Sequence, residues 1–266
     1  MTMTLPAIEC RNLNKIWNAQ SHAPLQTLKD VSFCVGRGEL NVLLGPSGCG
    51  KSTLLYLIAG LDEPSSGQLL CDGEPLQGPS PERGMIFQEA ALYPWLNILD
   101  NVGFGLSLQG IGKAARNAKA MELLEAVGLQ PFWDKKPSEL SGGMRQRAAM
   151  ARALCMNPKV LMMDEPFAAL DIQTRSKMQD YLIALWQRSQ ASILLVTHSI
   201  EEAIGLADNI LVFTSRPGRI KTQIKVELPR PRNPRDPAFH QLQDHLADLM
   251  ADEVNRAFAE QESAHF

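Results

Sequence analysis

Apolar positions between residues 7 and 71 come in short, dense runs. Ala7–Leu13, Leu28–Val35 and Leu40–Leu44 each combine apolar and β-favouring residues, and Gly36-Arg-Gly38 marks a turn between two of them, which predicts strands. Leu40-Asn-Val-Leu-Leu44 runs directly into a glycine-rich segment, after which Ser52–Ala59 reads as a helix stopped by Gly60. Gly67–Cys71 predicts another strand. Beyond Met85-Ile-Phe-Gln88 the period changes. From about Glu89 to Asn157 the pattern is helical, as in Ala114–Val127, where Met121, Leu124 and Val127 share a face and Gly128 ends the helix. Strand-like runs return at Val160–Met163, Ser192–Thr197 and Ile210–Phe213, so a helical block interrupts a βα chain. No internal repeat is visible.

The C-terminal part differs again. Pro229-Arg-Pro-Arg-Asn-Pro-Arg-Asp-Pro237 is rich in proline and arginine and reads as an extended linker. Phe239, Leu242, Leu246, Leu249, Met250, Val254 and Phe258 then form a helical stripe, for docking on the chain's own body or on a partner. Charge is nearly balanced, 26 Lys+Arg against 29 Asp+Glu, which argues against nucleic acid as a partner. The five cysteines (Cys10, Cys34, Cys49, Cys71 and Cys155) are scattered without metal-ligand spacing, which fits reduced thiols in the cytosol. Met-Thr-Met-Thr-Leu-Pro at the start lacks the basic and apolar parts of a signal peptide. No run of 18 apolar residues is present to span a bilayer, so any pore served by this chain must be another polypeptide.

Three strings carry chemistry. Gly45-Pro46-Ser47-Gly48-Cys49-Gly50-Lys51-Ser52, followed by Thr53, fits G-x-x-x-x-G-K-[ST], in which backbone N–H groups surround phosphate oxygens and the next helix aims its N-terminus at the anion. Cys49 lies inside this loop, where the helix end and Lys51 are expected to lower its pKa and make it sensitive to alkylation. Val160-Leu-Met-Met-Asp164-Glu165-Pro166 ends an apolar run in a carboxylate suited to a Mg²⁺-type cation, and Glu165 is placed to orient an attacking water. In Leu140-Ser141-Gly142-Gly143-Met144, Ser141 is a fitting N-cap and the glycines expose donors at a helix start that favours an anion.

In this order, with His198 downstream in Val-Thr-His-Ser, the strings resemble the ATP-binding cassette family, the ATPase subunits of ABC transporters, from about Ile8 to about Val226. The resemblance implies an α/β fold: a P-loop ATPase core with an N-terminal antiparallel β subdomain and an inserted helical subdomain at about 89–157. Domain bounds are expected at 1–228 for the ATPase and 229–266 for the linker and amphipathic helix. It further implies ATP and Mg²⁺ as cofactors. Lys51 reaches the β- and γ-phosphates, Ser52 ligates Mg²⁺ with Asp164 and Gln88, and Thr53 adds a phosphate contact. Glu165 is the base, His198 the γ-phosphate switch, and Gln88 the sensor that relays nucleotide state. Trp17 stands where the family stacks an aromatic on adenine; a plain core or surface tryptophan is the alternative. Ser141, Gly142, Gly143 and Met144, where many relatives have Gln in the last place, would hold the ATP of a facing cassette in a homodimer, and Asp171 would couple the two sites.

Leu92-Tyr-Pro-Trp-Leu96, the string at 142–147 and Arg216-Pro-Gly-Arg-Ile220 leading into Leu228-Pro-Arg-Pro-Arg232 narrow the resemblance to the nitrate/sulfonate/taurine importers. Leu92, Tyr93, Trp95 and Leu96 suit either a groove for a partner helix or a packed subdomain core. That subgroup implies membrane permease subunits as partners, indirectly a periplasmic or lipoprotein solute-binding protein, and a peripheral place on the cytoplasmic face of the inner membrane. Import of another small solute, or a soluble non-transport ABC ATPase, is the alternative.

Overall fold

A computed structural model describes residues 5–20, 23–168 and 170–263. The chain forms two compact units, Met1–Pro79 with Ser192–Phe266, and Ser80–Ala191, so the second is inserted in sequence into the first.

In the first unit β1 (Ile8–Trp17) pairs antiparallel with β2 (Leu25–Val35). β3 (Leu40–Leu44) is buried at every position and leads through the glycine loop into α1 (Lys51–Ala59). Gly60, in the left-handed region with φ 75°, closes α1 as the sequence predicts. β4 (Ser66–Cys71) pairs with the other edge of β1, and the two-residue β5 (Glu74–Pro75) follows it.

The second unit opens with β6 (Arg83–Ile86) and then turns helical through α2 (Ile98–Leu108), α3 (Lys113–Ala126) and α4 (Gly142–Cys155). β7 (Val160–Asp164) lies parallel to β6, and α5 (Ile172–Ser189) completes the unit. Buried Asn101 organises the segment before α2. Its side-chain amide donates to Tyr93 O, Leu96 O and Asn97 O, and its Oδ1 accepts from Tyr93 N at 2.8 Å. Tyr93 packs its ring 4.6 Å from Phe104, and Trp95 remains 67% exposed.

The chain then returns to the first unit with β8 (Ser192–Thr197), α6 (Ile200–Leu206), β9 (Asn209–Phe213), β10 (Ile220–Lys225) and α7 (Pro237–Ser263). β3 sits between β8 and β9, parallel to both, and β10 runs antiparallel on β9. Continuous apolar runs suit strands covered on both faces, and β3 and β8 are buried throughout.

Residues 227–236 have no regular structure, yet two of their arginines are engaged. Arg232 donates to Ile204 O and Ala207 O, both at 2.6 Å, and Arg230 donates to Leu206 O and pairs with Asp208 at 2.6 Å. Together they satisfy carbonyls that the end of α6 leaves open. Burial, then the neighbouring Arg230, lowers the Arg232 pKa to about 10. Phe239, Leu246 and Met250 of α7 are buried, while Phe258 is 63% exposed. α7 packs against α6. No helix among the described residues is long and apolar enough to cross a membrane.

Candidate active site

The glycine loop is the joint between β3 and α1. Gly45 and Pro46 are buried, Ser47 and Gly48 are exposed, and Ser52 and Thr53 in the first turn of α1 are partly exposed. No side chain caps α1, and a helix N-terminus of this kind favours an anion. Gly50 caps it with φ 105°, and a Cβ there would stand 2.7 Å from Thr27 O, so only glycine fits. Lys51 is 4% exposed, and its ammonium donates to Gly45 O at 2.8 Å and Pro46 O at 2.7 Å, which holds the cation inside the curve of the loop.

Cys49 departs from the expectation of a lowered pKa. Its Sγ is 3.7 Å from Lys51 Nζ, and Lys51 does pull the pKa down, but the thiol is 1% exposed and burial raises it by more. Burial outweighs the pull of Lys51, whose ammonium reaches the sulfur and also donates to two carbonyl oxygens. Burial therefore favours the protonated thiol where the sequence neighbours alone favour the thiolate.

Strand register places His198 beside the loop. Leu44 pairs with Thr197 in parallel β3 and β8, so Gly45 and His198 leave the sheet side by side at its carboxyl edge, where open α/β sheets bind ligands. His198 is exposed. The turn that carries it is fixed from behind: Thr197 Oγ1 donates to buried Glu202 Oε2 at 2.6 Å, and Ser199 caps α6. Trp17 ends β1 at 38% exposure with Lys15 Nζ 4.3 Å from its ring centroid. The same ammonium donates to Asp62 Oδ1 at 2.7 Å and Glu63 O at 2.8 Å. The sequence reading missed this cation–π pair. A lysine two residues before an aromatic was its only trace.

The second unit gathers two further groups. Ile86 pairs with Met163, so Gln88 and Asp164 emerge from the same end of β6 and β7. Gln88 is exposed and Asp164 is 5% exposed at the last position of its strand. Glu165 follows with φ 44°, a left-handed conformation rare for a glutamate, which turns the backbone out of the strand. Ser141 and Asp171 form the second group, each an N-cap. Ser141 Oγ accepts from Met144 N at 3.4 Å, and Asp171 Oδ1 accepts from Thr174 N at 3.0 Å. That hydrogen bond from the Thr174 backbone holds the Asp171 carboxyl below the usual carboxylate range. Gly143 lies against Thr174, which brings the two caps together. Ser141 and Gly142 are exposed, Gly143 and Met144 partly so. Ala169, in the run Ala-Ala-Leu-Asp171, and Met1–Thr4 lie outside the described residues.

Among the described residues no three His, Cys, Asp or Glu side chains converge as a metal cluster. The Ser52 hydroxyl in the first unit and the Asp164 carboxylate in the second are each oxygen donors of the kind Mg²⁺ takes, its other oxygens coming from phosphate and water.

Known proteins are similar along most of the chain. Residues 28–168 match the ABC transporter family model. The nitrate import ATP-binding protein NrtD of Synechocystis is 45% identical over 252 residues, 91% of this chain and 94% of NrtD. The taurine import ATP-binding protein TauB of Burkholderia thailandensis is 44% identical over 252 residues, 95% of each chain. A dimeric post-hydrolysis structure of the ATP-binding cassette MJ0796, bound to ADP and Pi, superposes with TM-score 0.74 at 30% identity, over 84% of this chain and all of that one. The chain therefore belongs to the ABC transporter family and has the fold of its ATP-binding cassettes.

Proposed function

We propose that this chain is the ATP-hydrolysing subunit of a bacterial importer for a small anionic solute such as a sulfonate, taurine or nitrate. Two copies act as a pair on separate membrane permease subunits at the cytoplasmic face of the inner membrane, fed by a solute-binding protein. The observation that carries this reading is the near full-length similarity to nitrate and taurine import subunits in a chain that keeps the whole loop from Gly45 to Thr53.

The residues divide the work. The loop N–H groups and Lys51 bind the phosphates, Ser52, Asp164 and Gln88 hold Mg²⁺, and Trp17 offers adenine the face that Lys15 leaves uncovered. Mg²⁺ when bound neutralises phosphate charge. Glu165 orients the water and accepts its proton, and His198 contacts the γ-phosphate from the neighbouring strand end. Ser141, Gly142, Gly143 and Met144 offer the N-terminus of α4 to a nucleotide on the partner copy, and Asp171 couples the two sites. The ATPase domain extends to about residue 228, with the helical subdomain at about 89–157. Differential affinity of ATP and ADP for the closed and open pair supplies the work.

Growth tests this reading. A host lacking the gene is grown with taurine or an alkanesulfonate as sole sulfur source, or nitrate as sole nitrogen source, carrying wild type or Glu165→Gln. Loss of growth on one nutrient, rescued by wild type alone, is expected. Normal growth of the deletion strain on all of them would sink the solute class. Rescue by Glu165→Gln would sink the role of Glu165.

A further inference from the structure

Glu253 is a carboxylate in the middle of α7, far along the chain from any motif, yet it is only 3% exposed. Its Oε2 accepts from Ser215 N at 2.9 Å and Ser215 Oγ at 3.3 Å, while its Oε1 accepts from Lys221 Nζ at 2.9 Å. Lys221 also donates to Leu249 O, one turn earlier on the helix, at 2.8 Å. A buried charge at a helix–body contact is costly unless fully paired, and apolar neighbours would dock the helix as well. Its partners therefore point to a task beyond docking.

The task is visible on the other side of Ser215. Residues 214–219 form a closed turn: Thr214 N donates to Arg219 O, and Thr214 Oγ1 bonds both Pro217 O and Arg219 N. Within it Gly218 N donates to Thr27 O at 2.8 Å and Gly218 O accepts from Lys29 N at 3.0 Å. Gly218 lies so close under the glycine loop that a Cβ would collide with Cys49 O. Thr27 O, the same acceptor, is also the atom that Gly50 packs against. Phe213, just before the turn, touches Gly45 from below. The floor of the loop is thus Phe213, Gly218 and Thr27, and the turn that supplies Gly218 hangs on the Glu253 carboxylate.

We propose that Glu253 is a positioning residue for the nucleotide site: through Ser215 and the 214–219 turn it fixes the floor of the Gly45–Ser52 loop, so that losing this carboxylate weakens nucleotide binding. The inference rests on that loop being the phosphate site. Preorganised donors bind phosphate only while their backbone is held, and a floor free to shift lowers affinity without touching the groups that act on water.

The test compares the purified full-length chain with Glu253→Ala, Glu253→Gln and Leu246→Ala by ATPase kinetics, ATP and ADP calorimetry and thermal melting. Glu253→Ala is expected to raise KM for ATP and Kd for ADP about fivefold, with kcat within about twofold. Glu253→Gln keeps an oxygen for Ser215 and is expected to fall between. Leu246→Ala, buried on the same helix, is expected to lower Tm without raising KM. An unchanged KM in Glu253→Ala, or an equal rise in Leu246→Ala, overturns the proposal in favour of plain helix docking. If Glu253→Ala does not fold, Glu253→Gln decides by the same criterion. Lys51→Ala serves as the separate control: if it binds ATP as wild type does, the loop itself is not the phosphate site.

Discussion

Two residues show how far local chemistry can be read from sequence. Cys49 has a helix N-terminus and a lysine as neighbours in sequence, the usual recipe for a reactive thiolate. What the sequence does not show is that the folded loop leaves Cys49 1% exposed, with Gly218, from more than 150 residues away, against its carbonyl oxygen. Iodoacetamide followed by peptide mapping is therefore expected to modify exposed Cys34 ahead of Cys49, with Cys49 reacting only on unfolding. Rapid, ATP-protected modification of Cys49 would contradict its burial. Glu165 is the converse case. Its place after Asp164 was legible, but its φ of 44° was not, because only tertiary packing can hold a glutamate there, at about 1–2 kcal/mol.

Among the elements, legibility followed burial. Leu40–Leu44 and Ser192–Thr197 are legible with the boundaries they have, because strands covered on both faces leave a dense, nearly continuous apolar run. β10 was missed: its residues are half-buried or exposed, and Lys221, Thr222 and Gln223 give no apolar face. α5 was missed for a related reason. Only Met178, Leu182 and Leu185 of its 18 residues are buried, a thin stripe in a polar helix. The N-cap of α4, by contrast, was plain from Ser141 before two glycines. Ser141→Ala is expected to cost about 1 kcal/mol in urea unfolding, beyond any effect on hydrolysis. A loss of hydrolysis with no change in stability would mean that the hydroxyl serves the nucleotide alone.

At the scale of the whole molecule the sequence separated what the chain does from where it must do it. Net charge is −3, and no helix among the described residues is long and apolar enough to cross a membrane; in the proposed function the permease subunits supply the attachment. Expressed alone, the chain is expected in the supernatant after ultracentrifugation. Expressed with its cognate permease subunits, it is expected in the membrane pellet and released by alkaline carbonate. Pelleting without them would require an anchor of its own. The role of the tail, in contrast, was hidden. Proline and arginine read as a linker, and the end of α6 that those arginines close is invisible without the fold.

The pairing of β3 also has a consequence for synthesis. Leu40–Leu44 finds its strand neighbours, β8 and β9, only after residue 191 has been made. Until then a ribosome-bound chain carries five adjoining residues, four of them apolar, with both hydrogen-bonding edges open. A stretch that is fully buried in the finished protein is thus, in the nascent one, open to pairing with the wrong strand.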